Sequence, residues 1–162
     1  MVGKELLNDK SYQRVKPFRL RDYRPGDFDE LCRIDRLCFE REVAYTAEEM
    51  AAFLGAPGAV ALVAEDARGR VAAFLVAHRG RIITVDVAPG RRRRGLGAAL
   101  IRLCERRLRA AGARTVRLET AAGNRAAQAL YESLGYTQVR RLARYYPTGE
   151  DAWVMEKSLV RS

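Results

Sequence analysis

The apolar positions along this chain change period several times, and each change marks an element. Phe18 and Leu20 alternate with Arg19 and Arg21, the two-residue period of a strand with one buried face. Pro25-Gly26-Asp27 then predicts a turn, and Asp27 with Glu30 three residues on reads as an N-cap pair. The helix that follows is expected to bury Phe28, Leu31, Ile34, Leu37 and Cys38. Thr46 with Glu49 suggests a second cap, opening a short helix through Leu54 that ends over Gly55 to Gly58. Three strand signals follow, Val60 to Ala64, Val71 to Ala77 and Ile82 to Val87, joined by tight turns at Ala67-Arg68-Gly69 and Arg79-Gly80. From Gly95 to about Ala111, Leu96, Ala99, Leu100, Leu103 and Leu108 recur at helical spacing, and Gly112 is placed to close that helix. Thr115 to Glu119 reads as a short strand, and Asn124 to Leu134 as a helix closed by Gly135. Tyr136 to Tyr145 and Ala152 to Leu159 read as a terminal hairpin. The order β-α-α-β-β-β-α-β-α-β-β describes one α/β domain, a mixed and mostly antiparallel sheet flanked by helices, over residues 16–162. Residues 1–15 are polar and unpatterned and read as a flexible tail.

Composition changes this picture little. At 162 residues, with 48% apolar and 31% charged positions, the chain fits one soluble globular domain whose core needs neither disulfide nor metal. Cys32, Cys38 and Cys104 are odd in number and lack C-x-x-C spacing; Cys32 and Cys104 fall on apolar helix faces as buried thiols. His78 stands without a cluster, so no zinc site is expected. No run of about 18 apolar residues and no signal-peptide core occurs, which predicts a cytoplasmic protein without a membrane partner. Charge matters more. The formal net charge is +10, nearly all of it from arginine. Such a surface favours anionic partners, coenzyme A or ribosomal RNA among them, without choosing between them. Arginine beside abundant alanine is also what a GC-rich genome produces. No basic module interleaved with aromatics supports RNA binding, so association with RNA or the ribosome stays open.

The arginines concentrate in one stretch, Val85 to Leu100, VDVAPGRRRRGLGAAL. Val85 and Val87 are β-branched and two apart, so they share one face of a strand that Pro89 must end. A loop then opens onto the first turn of a helix, where the amides have no intrahelical partner and the helix dipole is positive. Gly95 and Gly97 carry no Cβ and allow close approach to the backbone. The stretch reads as a pyrophosphate cradle. Two better-known phosphate loops are excluded. Gly90-x4-Gly95 has P-loop spacing, but Leu96-Gly97 replaces Lys-Ser/Thr. Gly95-Leu96-Gly97-Ala98-Ala99-Leu100 lacks the third small residue of a dinucleotide fingerprint.

What remains, Arg92-x-x-Gly95-x-Gly97 after a Val-x-Pro strand end, resembles the acetyl-CoA loop of the GCN5-related N-acetyltransferase (GNAT) superfamily. The element order over Phe18 to Leu159 resembles that superfamily too. Asn124-Arg125-Ala126-Ala127 followed by Leu130-Tyr131-Glu132-Ser133-Leu134-Gly135-Tyr136 is similar to its N-x-A-A-x-x-L-Y-x-x-x-G-F segment. Tyr145-Tyr146 and Gly149-Glu150-Asp151-Ala152-Trp153-Val154-Met155 resemble the ending of protein N-terminal acetyltransferases, most nearly the ribosomal-protein-alanine (RimI) type.

The resemblance implies acetyl-CoA as cofactor. It places the backbone of Val85, Asp86 and Val87 along the pantetheine arm. The amides of Arg92, Arg93, Arg94, Gly95, Leu96, Gly97 and Ala98 hold the pyrophosphate, and Asn124 and Tyr131 meet the cofactor further along. A strand-end amide near Val87 takes the oxyanion role. Glu119 is the implied base and Tyr131 the implied acid, a phenol with a reference pKa near 10 that keeps its proton at neutral pH. Asp86 is a rival base on the cofactor strand, although alternation turns its side chain away from Val85 and Val87. Glu119, Tyr145 and Tyr146 form the implied acceptor slot.

An α-amine has a pKa about 2.5 units below that of lysine, so deprotonating lysine costs roughly 3.5 kcal/mol more. That favours an α-amine over a lysine side chain as acceptor. Tyr145-Tyr146 and Gly149-Glu150-Asp151-Ala152 favour a protein N-terminus over a small amine such as a polyamine, amino acid or aminoglycoside. A non-catalytic acetyl-CoA-binding module is a third reading, against which Glu119 and Tyr131 stand. One segment departs from the family pattern: Phe39-Glu40-Arg41-Glu42-Val43-Ala44-Tyr45 has two acids and no proline or tryptophan, which leaves the acceptor open.

Overall fold

Alternation at the start of the domain is realised with one addition. In the computed structural model, which describes residues 14–161, Arg14–Val15 form a two-residue strand (β1) that pairs antiparallel with β2, Phe18–Asp22. Two residues counted with the tail therefore belong to the sheet; residues 1–13 of that tail lie outside the described residues. Phe18 and Leu20 are buried as their period predicts.

The helices α1 (Phe28–Cys38) and α2 (Ala47–Gly55) follow. Thr46 and Glu49 make the expected reciprocal capping box on α2. Asp27 does not cap α1. Its carboxylate instead accepts from the Arg24 amide at 2.8 Å and from Arg21 Nη1 and Nη2 at 2.8 and 2.9 Å. A nearby guanidinium that offers two parallel bonds outcompetes a single cap bond. Leu37 is 53% exposed, whereas Leu31 and Ile34 are buried, because the apolar stripe drifts off the core face in the last turn.

Strands β3 (Val60–Glu65), β4 (Val71–His78) and β5 (Arg81–Val87) make the expected antiparallel meander. Helix α3 (Leu96–Ala110) ends before Gly112, whose φ of +92° closes it as predicted. Strand β6 (Thr115–Ala121) runs two residues past Glu119, and α4 (Arg125–Ser133) is capped by Asn124, whose side chain accepts from Ala127 N–H. The terminal pair is β7 (Thr137–Leu142) and β8 (Ala152–Ser158). Strand β7 is shorter than expected, so Tyr145 lies in the connecting loop.

Among the described residues the eight strands form one sheet in the order β1-β2-β3-β4-β5-β6-β8-β7. Every neighbouring pair is antiparallel except β5 and β6. One face packs on α3 and α4 through Leu96, Leu100, Ile101, Leu108 and Tyr131. The other packs on α1 and α2 through Leu31, Ile34, Met50, Phe74 and Val76. No helix among the described residues is long and apolar enough to cross a membrane.

Arg21 ties three elements together, since its Nε also meets Glu65 Oε2 at 2.7 Å. Hydrogen bonding to Arg21 is the leading cause that holds both the Asp27 and Glu65 carboxyls below their ordinary values. Carboxylates lowered on folding contribute stability above their unfolded values near pH 4, and that stability is lost as pH falls through the lowered ones. Arg21→Met is expected to destabilise the fold by about 2 kcal/mol at neutral pH. Urea unfolding between neutral and acid pH should then show a flatter pH dependence than the wild type.

Candidate active site

The site begins where the sheet comes apart. Strands β5 and β6 pair only at Arg81 and Arg117, beside a hydrogen bond from Arg117 N–H to Gly80 O at 2.8 Å. Beyond that rung they diverge into a wedge. Ala88 N–H bonds to Ala72 O, and Asp86 faces Phe74 across the ladder. Alternation along an antiparallel pair therefore turns the backbone groups of Val85 and Val87 toward the wedge. The carbonyl of Val87 accepts there from Cys38 Sγ at 3.3 Å and from Arg92 Nε at 3.2 Å. The Val85 backbone and the Val87 amide leave this strand edge ready to partner an extended ligand.

The loop after β5 supplies the second half of the cradle. None of the amides from Arg92 to Ala98 has a hydrogen-bond partner among the described residues. Gly95, at φ +76°, takes the left-handed conformation that starts α3, and Arg93 shares it at φ +62°. At Gly97 a Cβ would meet Leu130 Cδ2 at 3.5 Å and Val87 Cγ2 at 3.8 Å, ordinary contacts, so packing by itself does not demand glycine there. The arginines divide their work. Arg91 pairs with Asp66 at 2.8 Å, and Arg91 and Arg94 both lie over the Phe18 ring. Arg92, Arg93 and Arg94 are exposed around the loop. Free amides, a helix N-terminus and nearby cations suit a diphosphate.

At the vertex, Glu119 Oε2 accepts from Arg81 Nε at 2.9 Å, and Arg81 Nη2 reaches Tyr145 Oη at 3.3 Å. The Glu119 side chain is mostly buried, and Tyr145 is 41% exposed at the mouth. Tyr145 and Tyr146 pack edge to face at 5.0 Å. Tyr45 joins them from the segment after α1, its hydroxyl toward Ile83 O at 3.5 Å and its pKa pushed up to about 12, mainly by burial. Burial likewise raises Tyr146. Tyr131 is 8% exposed on α4, and burial, then the Asp86 charge, raise its phenol well above the ordinary value. Asn124 lies exposed at the α4 terminus with its side-chain oxygen committed to the cap.

The structure thus brings Glu119, Tyr145 and Tyr146 together, with the backbone of Val85 and Val87 on the adjoining edge. It does not bring in the Asp86 carboxylate. That group is 1% exposed on the α1 face of β5, hydrogen-bonded to Thr84 Oγ1, so Asp86 belongs to the wedge only through its strand. Two members escaped the sequence reading. Arg81 gave no signal, standing between the expected Arg79-Gly80 turn and a strand expected from Ile82, and Tyr45 lay in the segment that departs from the family pattern. The acids of Gly149-Glu150-Asp151 acquire a physical role. Glu150 Oε1 accepts from Gly123 N–H at 2.9 Å, and Asp151 accepts from Arg144 N–H and Arg141 Nε. Both fasten the loop that carries the paired tyrosines.

A parallel strand pair that splays beside a loop of free amides is matched by an independent finding: the model of the Acetyltransferase (GNAT) family fits residues 28–136. The chain belongs to that family. This GNAT protein is accordingly an acetyltransferase. It is 28% identical over 170 residues to an N-alpha-acetyltransferase of Sulfurisphaera tokodaii, covering 91% of this chain and 96% of that relative. It is 39% identical over 94 residues to the [ribosomal protein bS18]-alanine N-acetyltransferase of Escherichia coli K12, covering 54% of this chain and 64% of the relative. The crystal structure of the ribosomal-protein-S18-alanine N-acetyltransferase from Escherichia coli has a TM-score of 0.79 at 26% identity, over 90% of this chain and 96% of that one. The structure of Arabidopsis thaliana NAA60 in complex with acetyl-CoA shares the fold, with a TM-score of 0.76 at 21% identity over 87% and 98% of the two chains.

Proposed function

We propose that this GNAT protein acetylates the α-amine of a protein N-terminus with acetyl-CoA as donor. The observation that carries the reading is the vertex itself, where a carboxylate, a fixed cation and a tyrosine slot converge at the end of a free strand edge. The near full-length likeness to an N-alpha-acetyltransferase supports it.

Acetyl-CoA, when bound, supplies a thioester that a neutral amine can attack. The amides of Arg92 to Ala98 hold its diphosphate, the backbone of Val85 and Val87 holds the pantetheine arm, and the Val87 amide faces the developing oxyanion. Asn124 retains its side-chain N–H groups for the same ligand. Glu119 takes the amine proton, directly or through water, and Tyr131 Oη returns one to the departing sulfur. Arg81 orients Glu119 through Oε2 and keeps a positive charge beside the acceptor. That charge disfavours polyamines, which bring several cations, more than an α-amine, which reaches neutrality near pH 8. Tyr145 and Tyr146 offer a narrow aromatic slot to an extended peptide.

A thiol-release assay with short peptides tests the reading: turnover should vanish when the α-amine is blocked, and faster turnover of a free polyamine would reject it in favour of a small-amine acetyltransferase. Peptides taken from ribosomal proteins belong in the panel. Glu119→Gln is expected to lower kcat by about a hundredfold. An unchanged kcat would remove Glu119 as the base.

A further inference from the structure

A pair of buried acids lies on the α1 face of β5 and has no part in the mechanism above. Asp35 of α1 is fully buried, Asp86 nearly so, and the two carboxyls meet side chain to side chain. Asp35 Oδ2 accepts from Tyr45 N–H at 2.7 Å, and Asp86 Oδ1 accepts from Thr84 Oγ1 at 2.5 Å. Asp35 Oδ1 and Asp86 Oδ2 are left buried without a hydrogen-bond partner among the described residues. Two ionised carboxylates in contact repel strongly away from water, and each unsatisfied oxygen carries a further penalty. A single proton placed between the two spare oxygens removes both problems.

We propose that Asp35 and Asp86 share one proton and thereby clamp the segment from Cys38 to Thr46, one wall of the acceptor site, onto the cofactor strand β5. The contacts of that segment fit the role. At its start Cys38 Sγ bonds to Val87 O, and at its end Tyr45 places its hydroxyl toward Ile83 O and its ring against Phe53, centroids 4.9 Å apart. At the Tyr45 end the Asp35 carboxylate also holds the Tyr45 amide, and Asp86 holds Asp35. The use of this wall for an acceptor rests on the proposed function; the clamp does not.

The titratable and charged groups around the pair come from four directions. Helix α1 brings Cys32 and Cys38, the following segment Tyr45, the loop after β5 Arg92, and α4 Tyr131. Arg92 is the cation acting on Asp86, and its exposed guanidinium is engaged with Val87 O and Cys38. Burial first, then Asp35, push the Asp86 carboxyl well above the usual carboxylate range. A carboxyl raised on folding keeps its proton, and the clamp, until pH climbs through the raised value.

Amide hydrogen exchange of the full-length protein tests this without reference to activity. Asp86→Ala should speed exchange over residues 39–46 by at least about tenfold. Asp86→Asn, whose amide donates to Asp35 and still accepts from Thr84, should retain protection and lose the extra acceleration that the wild type shows on alkaline titration. Wild-type protection in Asp86→Ala, or Asp86→Asn exchanging as fast as Asp86→Ala, would overturn the proposal. Should Asp86→Ala fail to fold, the melting temperatures of wild type and Asp86→Asn decide: the wild-type curve must fall more steeply on alkaline titration, and parallel curves reject the shared proton. A protein that passes these tests yet acetylates no peptide keeps the clamp and loses the N-terminal acceptor.

Discussion

Replacing Tyr131 by phenylalanine is expected to lower kcat by about a hundredfold and leave acetyl-CoA affinity within about twofold. The substitution removes one oxygen and keeps the ring. That ring packs edge to face on Tyr136 at 6.0 Å within the main core, so folding should be spared. Burial holds the phenol protonated throughout the working pH range. The acid is therefore always loaded, and no alkaline loss of kcat near neutral pH should trace to it. Rapid-quench turnover with a calorimetric dissociation constant separates chemistry from binding. An unchanged kcat would remove Tyr131 as the proton donor.

Gly95→Val is expected to weaken acetyl-CoA binding by at least about tenfold with a small change in melting temperature. Space is not the obstacle, because an added Cβ at Gly95 meets nothing within 4 Å. Conformation is. Gly95 sits at φ +76°, and a β-branched residue held there costs about 1–2 kcal/mol or more. Relief of that strain rotates the peptide planes that aim the Leu96, Gly97 and Ala98 amides out of the helix. Gly97→Ala is the control: its backbone is helical and its Cβ would make ordinary contacts with Leu130 and Val87. Calorimetric titration of both variants should separate them, and equal affinities would show that the amide cradle does not depend on the Gly95 turn.

Where side-chain alternation repeats over several residues, the element was legible in the sequence. The meander of β3 to β5, the stripe of α3 and the Thr46–Glu49 box are local patterns, and local patterns survive without knowledge of the fold. The free amides were legible for the same reason, since a proline stop followed by glycines and a helical stripe has few other outcomes. What escaped depends on tertiary surroundings that spacing along the chain does not fix. Asp27 looked like a cap until Arg21, six residues earlier, came within reach of both its oxygens. Leu37 continued an apolar stripe whose supporting face had already ended. Arg81 reaches Glu119 across 38 residues, and Asp35 faces Asp86 from another element. Such meetings depend on where strands stop pairing, and residue spacing does not encode that.

The lone rung between β5 and β6 makes the sheet two plates sharing one hinge pin. Backbone ladders hold each plate internally, but the plates adhere through side chains such as Leu62, Leu75, Leu118 and Met155. Adhesion of that kind weakens as water cools, whereas ladders lose less. The junction is therefore the seam along which chilling would part this molecule first, and any ligand lying across it acts as a rivet.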